Sequence, residues 1–496
     1  MPLQQVQLSP FAGGPRTFLD GPGLKTISGL TKPGIEDFHV DIPVSVKYRD
    51  RVSWLAVFYK SVPEAIGIGG LKYVFNPAEM KLRRLFWLFL IIAAFALLLV
   101  QISDRAKHLS RNPTSVDVYQ NYTESLPFPT VAICNYNQLR RSMVEGTELG
   151  DFLQTYTFDY HSIKTMDTSS PFFPLLSNHT MTDIFTTYGH QLEQTVEFAI
   201  FGKTRALDRD TYFSTKITDF GLCTVFNDAE SGNPPLLIKR PGALSGLQLR
   251  LNVEAAEYFW SPSFRPSSGF QIVIYEYGSQ PLIEDQGFGI APGTHSHIGV
   301  EVIEALNQEP PYGLCHDKQL KYFDRYGYAE CYLECMGNFS VNACGCSGCG
   351  VFNVSDAQEC TLWETFTCTS GSFADFVENE TCDCPVACRV LTYQPSISTT
   401  KYPTTTWAEY YQSLSPELKL GDYMKENICY VSIYFKEISI KQITQNIDYN
   451  YFSFLCDIGG SLGLWLGGSI LTVFEILDLF GNSMYTYTLR FQNVKK

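Results

Sequence analysis

Nineteen consecutive uncharged residues, Leu85 to Ser103 (LFWLFLIIAAFALLLVQIS), constrain this chain more than any other feature. At 1.5 Å rise per residue, a helix of that length nearly matches a hydrocarbon core of about 30 Å. A core helix of a soluble protein rarely stays apolar on every face over such a length, and with 84 residues before it the run is not a cleaved leader. It reads as a membrane span. Lys81, Arg83 and Arg84 stand directly before it and Asp104 directly after, so the positive-inside rule puts the N-terminal side in the cytoplasm.

A second run, Ile458 to Phe474 (IGGSLGLWLGGSILTVF), is uncharged for 17 residues between Asp457 and Glu475. The tail after it carries Arg490, Lys495 and Lys496 with no acidic residue beyond Asp478, so that end is also placed inside. The expected plan is a plasma-membrane protein with two transmembrane helices and both termini cytoplasmic. Its parts are a cytoplasmic region 1–84, a first span 85–103, an extracellular domain 104–452, a second span 453–480 and a cytoplasmic tail 481–496. Two further signals agree. All five N-glycosylation acceptors (Asn121, Asn178, Asn338, Asn353, Asn379) fall between the spans, and so do fourteen of the fifteen cysteines, with Cys456 at the mouth of the second span.

Composition excludes several classes. A net charge of −14 leaves no basic footprint for nucleic acid. The eight histidines form no H-E-x-x-H pair and no Walker-type loop is present, so no metal or cofactor is expected. Gly459, Ser461 and Gly463 match the G-x-S-x-G nucleophile elbow, but they sit in an apolar span with no strand before them. An enzyme is not expected.

Alternating segments Leu247 to Val253, Phe270 to Tyr277 and Tyr430 to Ile440 read as strands of a β-rich outer body. Eleven cysteines crowd between Cys315 and Cys388, and spacing alone does not give their connectivity. Cys344, Cys346 and Cys349, or Cys382 and Cys384, have zinc-like spacing. Outside the cell disulfides are favoured instead, each stabilising by roughly 2–4 kcal/mol, and an odd count leaves one thiol over, for which Cys349 is the candidate.

In the second span Gly459, Gly463 and Gly467 recur four apart, a small-residue stripe that lets helix backbones approach closely. Gly467, Gly468 and Ser469 can break the helix and turn polar groups toward protein or water. Glu475 and Asp478 follow three apart on one helical face, where a ring of carboxylates would concentrate cations.

These residues resemble the degenerin/epithelial sodium channel superfamily, which includes acid-sensing and peptide-gated channels. Asp457 to Ser469 (DIGGSLGLWLGGS) followed by Ile470 to Glu475 is similar to that family's second span, with Gly467, Gly468 and Ser469 at its selectivity filter. Phe128 to Asn135 (FPTVAICN) resembles the element opening its ectodomain, and Pro310 to Cys315 (PPYGLC) its entry to the thumb, about 315–388.

The resemblance implies a trimer of like subunits, each with a hand-like α+β ectodomain of palm, knuckle, β-ball, finger and thumb. It implies a sodium-selective channel blocked by amiloride-type compounds, with Tyr312 coupling at the wrist and Cys456, Asp457 and Gly460 at the outer pore. It also implies the disulfides Cys315–Cys388, Cys331–Cys384, Cys335–Cys382, Cys344–Cys368, Cys346–Cys360 and Cys134–Cys223. Two departures bear on gating. The family's His-Gly pair in the re-entrant segment (near 53–75) aligns with Ile66-Gly67, and its paired histidines after the first span are not evident, although His108 is nearby. That absence tilts the expected extracellular stimulus toward a neuropeptide bound around Tyr156 to Phe173, with proton-gated or constitutively open channels as alternatives. A two-pass, cysteine-rich receptor or adhesion protein without a pore is the alternative of another class.

Overall fold

The computed structural model describes residues 67–156, 168–202, 207–371 and 382–494, except 263 and 355. Ile66, Asn379 and most of the expected peptide region lie outside the described residues. One compact unit, residues 63–478, contains every site residue discussed below.

The first span is a helix longer than expected, Lys81–Ser110 (α1). Its N-terminal extension runs through the basic residues and its C-terminal one through Asp104 to His108. Among the described residues thirteen strands follow: β1 (Thr114–Tyr122), β2 (Leu126–Pro127), β3 (Thr130–Asn135), β4 (Val196–Phe201), β5 (Phe213–Thr218), β6 (Gly221–Phe226), β7 (Leu237–Ile238), β8 (Leu247–Asn252), β9 (Phe270–Tyr275), β10 (Phe288–Ile290), β11 (Thr294–Leu306), β12 (Arg389–Lys401) and β13 (Ile428–Ile447). One sheet has the order β12-β11-β13-β8-β4, with β1 also on β13; a second has the order β10-β9-β3-β6-β5.

Period-two alternation builds the core between these sheets. In β3, Val131 and Ile133 face one cluster with Leu247, Leu249 and Leu251 of β8 and Val431, Ile433 and Phe435 of β13. Ala132 and Cys134 turn the other way, against Val225 and Val273. Phe128, 1% exposed, stands edge-on to Phe201, Phe226 and Phe435 at 5.2–6.0 Å. Truncating such a side chain to alanine costs about 3–5 kcal/mol.

Six disulfides close this body: Cys134–Cys223, Cys315–Cys388, Cys331–Cys384, Cys335–Cys382, Cys344–Cys368 and Cys346–Cys360. They are the six pairs named above. Five staple the thumb, whose longest element is the helix Tyr328–Cys344 (α2); the sixth joins residues facing each other on β3 and β6. Cys349, Cys429 and Cys456 are free. The four described sequon asparagines, Asn121, Asn178, Asn338 and Asn353, are exposed, as a glycan requires.

Candidate functional site

The second apolar run is two helices. Tyr451–Leu466 (α3) stops at Gly467, and Ile470–Val494 (α4) restarts after Ser469, with a 76° bend between Tyr451–Leu466 and Ile470–Asn482. Gly467 ends α3 in the left-handed region at φ +65°, which a residue with a Cβ adopts at a cost of roughly 1 kcal/mol. Across the break, the Ser469 N–H donates to Thr472 Oγ1 (3.0 Å). Among the described residues only α1 is by itself long and apolar enough to cross a membrane; α3 and α4 qualify when taken as one bent span.

The segment before α1 packs onto this break. The Gly69 N–H donates to the Leu466 carbonyl (3.0 Å), satisfying an acceptor that the end of α3 leaves open, and the Gly67 N–H donates to Glu475 Oε2 (3.0 Å). Gly70, at φ +84°, lies where a Cβ would come within 2.6 Å of Trp87. Glycine permits this turn, and Tyr73 then stacks on Trp87 at 5.0 Å.

The two faces of α3 differ. At about 100° per residue, Asp457, Ser461 and Trp465 share one side, which meets α1. Asp457 Oδ2 lies 3.6 Å from Arg105 Nε and accepts from the Tyr449 hydroxyl (2.7 Å), Ser461 is buried, and Trp465 Nε1 donates to Gln101 (2.8 Å). The other side carries Cys456, Gly459, Gly460, Gly463 and Gly467, all exposed. A Cβ at Gly459 or Gly460 would meet nothing within 4 Å among the described residues.

One ribbon ties α1 to α3. β1 begins four residues after α1 and β13 ends four residues before α3, paired from Thr114↔Ile447 to Tyr122↔Ser439. Gln445 on β13 accepts from the Gln308 N–H (3.0 Å), its carbonyl accepts from Gln308 Nε2 (2.8 Å), and its own Nε2 donates to Thr114 (3.2 Å).

A profile of the amiloride-sensitive sodium channel family matches residues 64–479, most of the chain. The chain belongs to this family. Acid-sensing ion channel 1 of Gallus gallus is 27% identical over 431 residues, covering 82% of this chain and 81% of that protein. Acid-sensing ion channel 2 of Homo sapiens is 26% identical over 431 residues, covering 82% and 83%. A solved proton-activated chloride channel overlays with a TM-score of 0.32 at 11% identity, over 83% of this chain and 97% of that one. The amiloride-sensitive sodium channels are plasma-membrane ion channels, and the superfamily resemblance read from the sequence is thereby established.

Within this family member, Gly467, Gly468 and Ser469 form the break itself, and Gly67 meets Glu475. Asp457 lies on the side of α3 away from Cys456 and Gly460, where it meets Arg105 of α1. Asp478 is exposed on α4. Tyr312 is half-buried just after the Pro310-Pro311 peptide, and nearby Gln308 and Gln445 hydrogen-bond to each other. No motif singles out either glutamine; only the pairing of β1 with β13 identifies them.

Sequence reasoning also passed over Asp219. It follows β5, and its carboxylate accepts the N–H groups of Ile283 (3.1 Å) and Glu284 (2.9 Å). Burial pushes its pKa up, against the pull of those two bonds. It lines a cavity of about 310 Å³ with Met181, Met336, Phe352 and Cys349. Burial pushes the Cys349 thiol up to about 12, so it is a poor nucleophile at neutral pH.

Proposed function

We propose that three copies of this chain surround a sodium-selective, amiloride-sensitive pore, with α1 and the bent α3–α4 pair of each crossing the plasma membrane and both termini in the cytoplasm. Gly467, Gly468 and Ser469 form the selectivity filter, and Glu475 and Asp478 draw cations to its inner side. The observation that carries this reading is the division of α3 into a face that grips α1 and a glycine face with open space beside it. Like subunits would meet there, and the break would offer small polar groups to a partly dehydrated ion.

Protons are the proposed stimulus. The sequence reading tilted toward a neuropeptide, but the relatives are named for sensing acid, and Asp219 gains its proton in milder acid than an ordinary carboxyl. Its protonation relieves a buried charge and weakens the acceptor that holds Ile283 and Glu284, shifting the contact made there. Thumb movement would then pass through β12, β11 and β13 to the ribbon that holds both spans. The acid state must be favoured in the open arrangement for this to gate.

Voltage clamp of cells expressing this chain alone, with acid, peptide and amiloride applied in turn, tests the reading. An acid-evoked, amiloride-blocked sodium current is expected. A current evoked only by peptide would replace the stimulus, and a surface-expressed chain without current under any condition would favour a receptor without a pore.

A further inference from the structure

β11 carries a pair of histidines that neither the ribbon nor the break accounts for. The strand is hydrogen-bonded on both sides from its first residue, antiparallel to β12 and parallel to β13, so its side chains are held on a rigid frame. Alternation puts His295 and His297 on one face and sends Ser296, 1% exposed, to the other. The two rings lie 3.9 Å apart between centroids, tilted by 38°, and both are half-buried and reachable by solvent. His295 Nε2 meets Ser432 Oγ at 3.0 Å, and its ring stands edge-on to Tyr430 at 4.5 Å.

The chemistry around the pair is narrow. In register with the histidines are Thr400 and Ser398 on β12 and Tyr430 and Ser432 on β13, none charged at neutral pH. One strand further, Arg250 lies opposite Tyr430 and is paired with Glu197. Donors that are imidazoles, with no carboxylate in register, disfavour calcium and magnesium and suit zinc, copper or nickel.

We propose that His295 and His297 chelate one divalent ion of the zinc, copper and nickel class, with Ser432 Oγ and water completing its coordination. Among the described residues no group of three or more His, Cys, Asp or Glu side chains could hold a metal, so this is an open, exchangeable two-histidine site, unlike a four-ligand structural zinc centre. Its location on the strand between thumb-linked β12 and span-linked β13 puts the ion on the route from thumb to membrane.

The test needs no channel activity. The full chain in lipid nanodiscs, titrated with Cu²⁺ and followed by electron paramagnetic resonance, should bind one equivalent with a two-nitrogen pattern. His295→Gln or His297→Gln should each weaken that equivalent by roughly 100-fold, the loss expected when two linked donors become one, while His316→Gln leaves it unchanged. A His295→Gln/His297→Gln double variant that binds copper as the wild type does would overturn the proposal. On the unaltered chain, Zn²⁺ should protect the peptide containing both histidines from carbethoxylation as read by mass spectrometry; equal modification with and without zinc would overturn it independently of any variant's folding.

Discussion

The outer body and the spanning helices solve their burial problem differently. In the body, β3 is buried along its whole length, apolar side chains on both of its faces find partners within the same chain, and six disulfides hold the result. In α1, Leu98 is the one buried residue, while Leu85, Phe86, Phe89, Ile92, Phe95, Leu99 and Val100 are exposed around the helix. The folded body therefore buries its own apolar surface while α1 does not, and under the proposed function lipid and like subunits would cover what α1 leaves open. Stability and assembly should respond to different substitutions.

The largest effect is expected in the body. Replacing Cys134 and Cys223 together by alanine opens a link between residues 89 apart in sequence, which chain entropy values at roughly 4–5 kcal/mol. The thermal midpoint of the purified ectodomain signal should fall steeply and surface expression with it. A variant with unchanged unfolding would mean that the sheet alone holds β3 to β6.

Gly463→Leu should do the reverse. A Cβ there meets only the Gly468 carbonyl at 3.7 Å, so ectodomain unfolding should not move, whereas native mass in detergent should shift from trimer to monomer and current should vanish. If the variant stays trimeric and conducts, the glycine face is not the contact between subunits and the contrast between the two regions fails.

How far the sequence reveals each region follows from what fixes it. The strands at Leu247, Phe270 and Tyr430 were legible because alternation is local, although β13 runs on to Ile447 since it must reach the second span. The helix break was legible in Gly467 to Ser469 because a run of small residues has one physical consequence. Cysteine pairing was legible only through the family resemblance. The bonds from Gly67 and Gly69 to α4 and α3 were not, because they join residues about 400 apart through backbone N–H groups that every non-proline residue carries. Asp219 was hidden for a related reason: its partners Ile283 and Glu284 lie 64 and 65 residues away in sequence.

Glu475 tests that long-range junction at intermediate cost. Its contact with the Gly67 N–H has an ionised acceptor, worth about 1.5–3 kcal/mol. Glu475→Leu removes both the charge and the acceptor, so conductance and closing kinetics should change together. Glu475→Gln keeps an acceptor and removes the charge, so conductance should fall with kinetics largely retained. Identical phenotypes in the two variants would show that charge alone matters and that Gly67 does not hold the lower helix.

The smallest effect is predicted for Asp219→Asn. A carboxyl whose pKa is raised in the fold contributes stability below its unfolded value near pH 4, and that contribution is lost as pH rises through the higher folded value. The wild type should therefore gain thermal stability relative to the variant as pH falls from 7 toward 4. Asparagine is neutral at every pH and still accepts one of the two backbone N–H groups, so its stability curve should be flatter. If Asp219 is a trigger, the same variant should blunt the acid-evoked current at mild pH. A flattened stability curve with an unaltered acid response would separate the two roles, leaving Asp219 as a cap on the Ile283 turn and moving the proton sensor to another carboxylate.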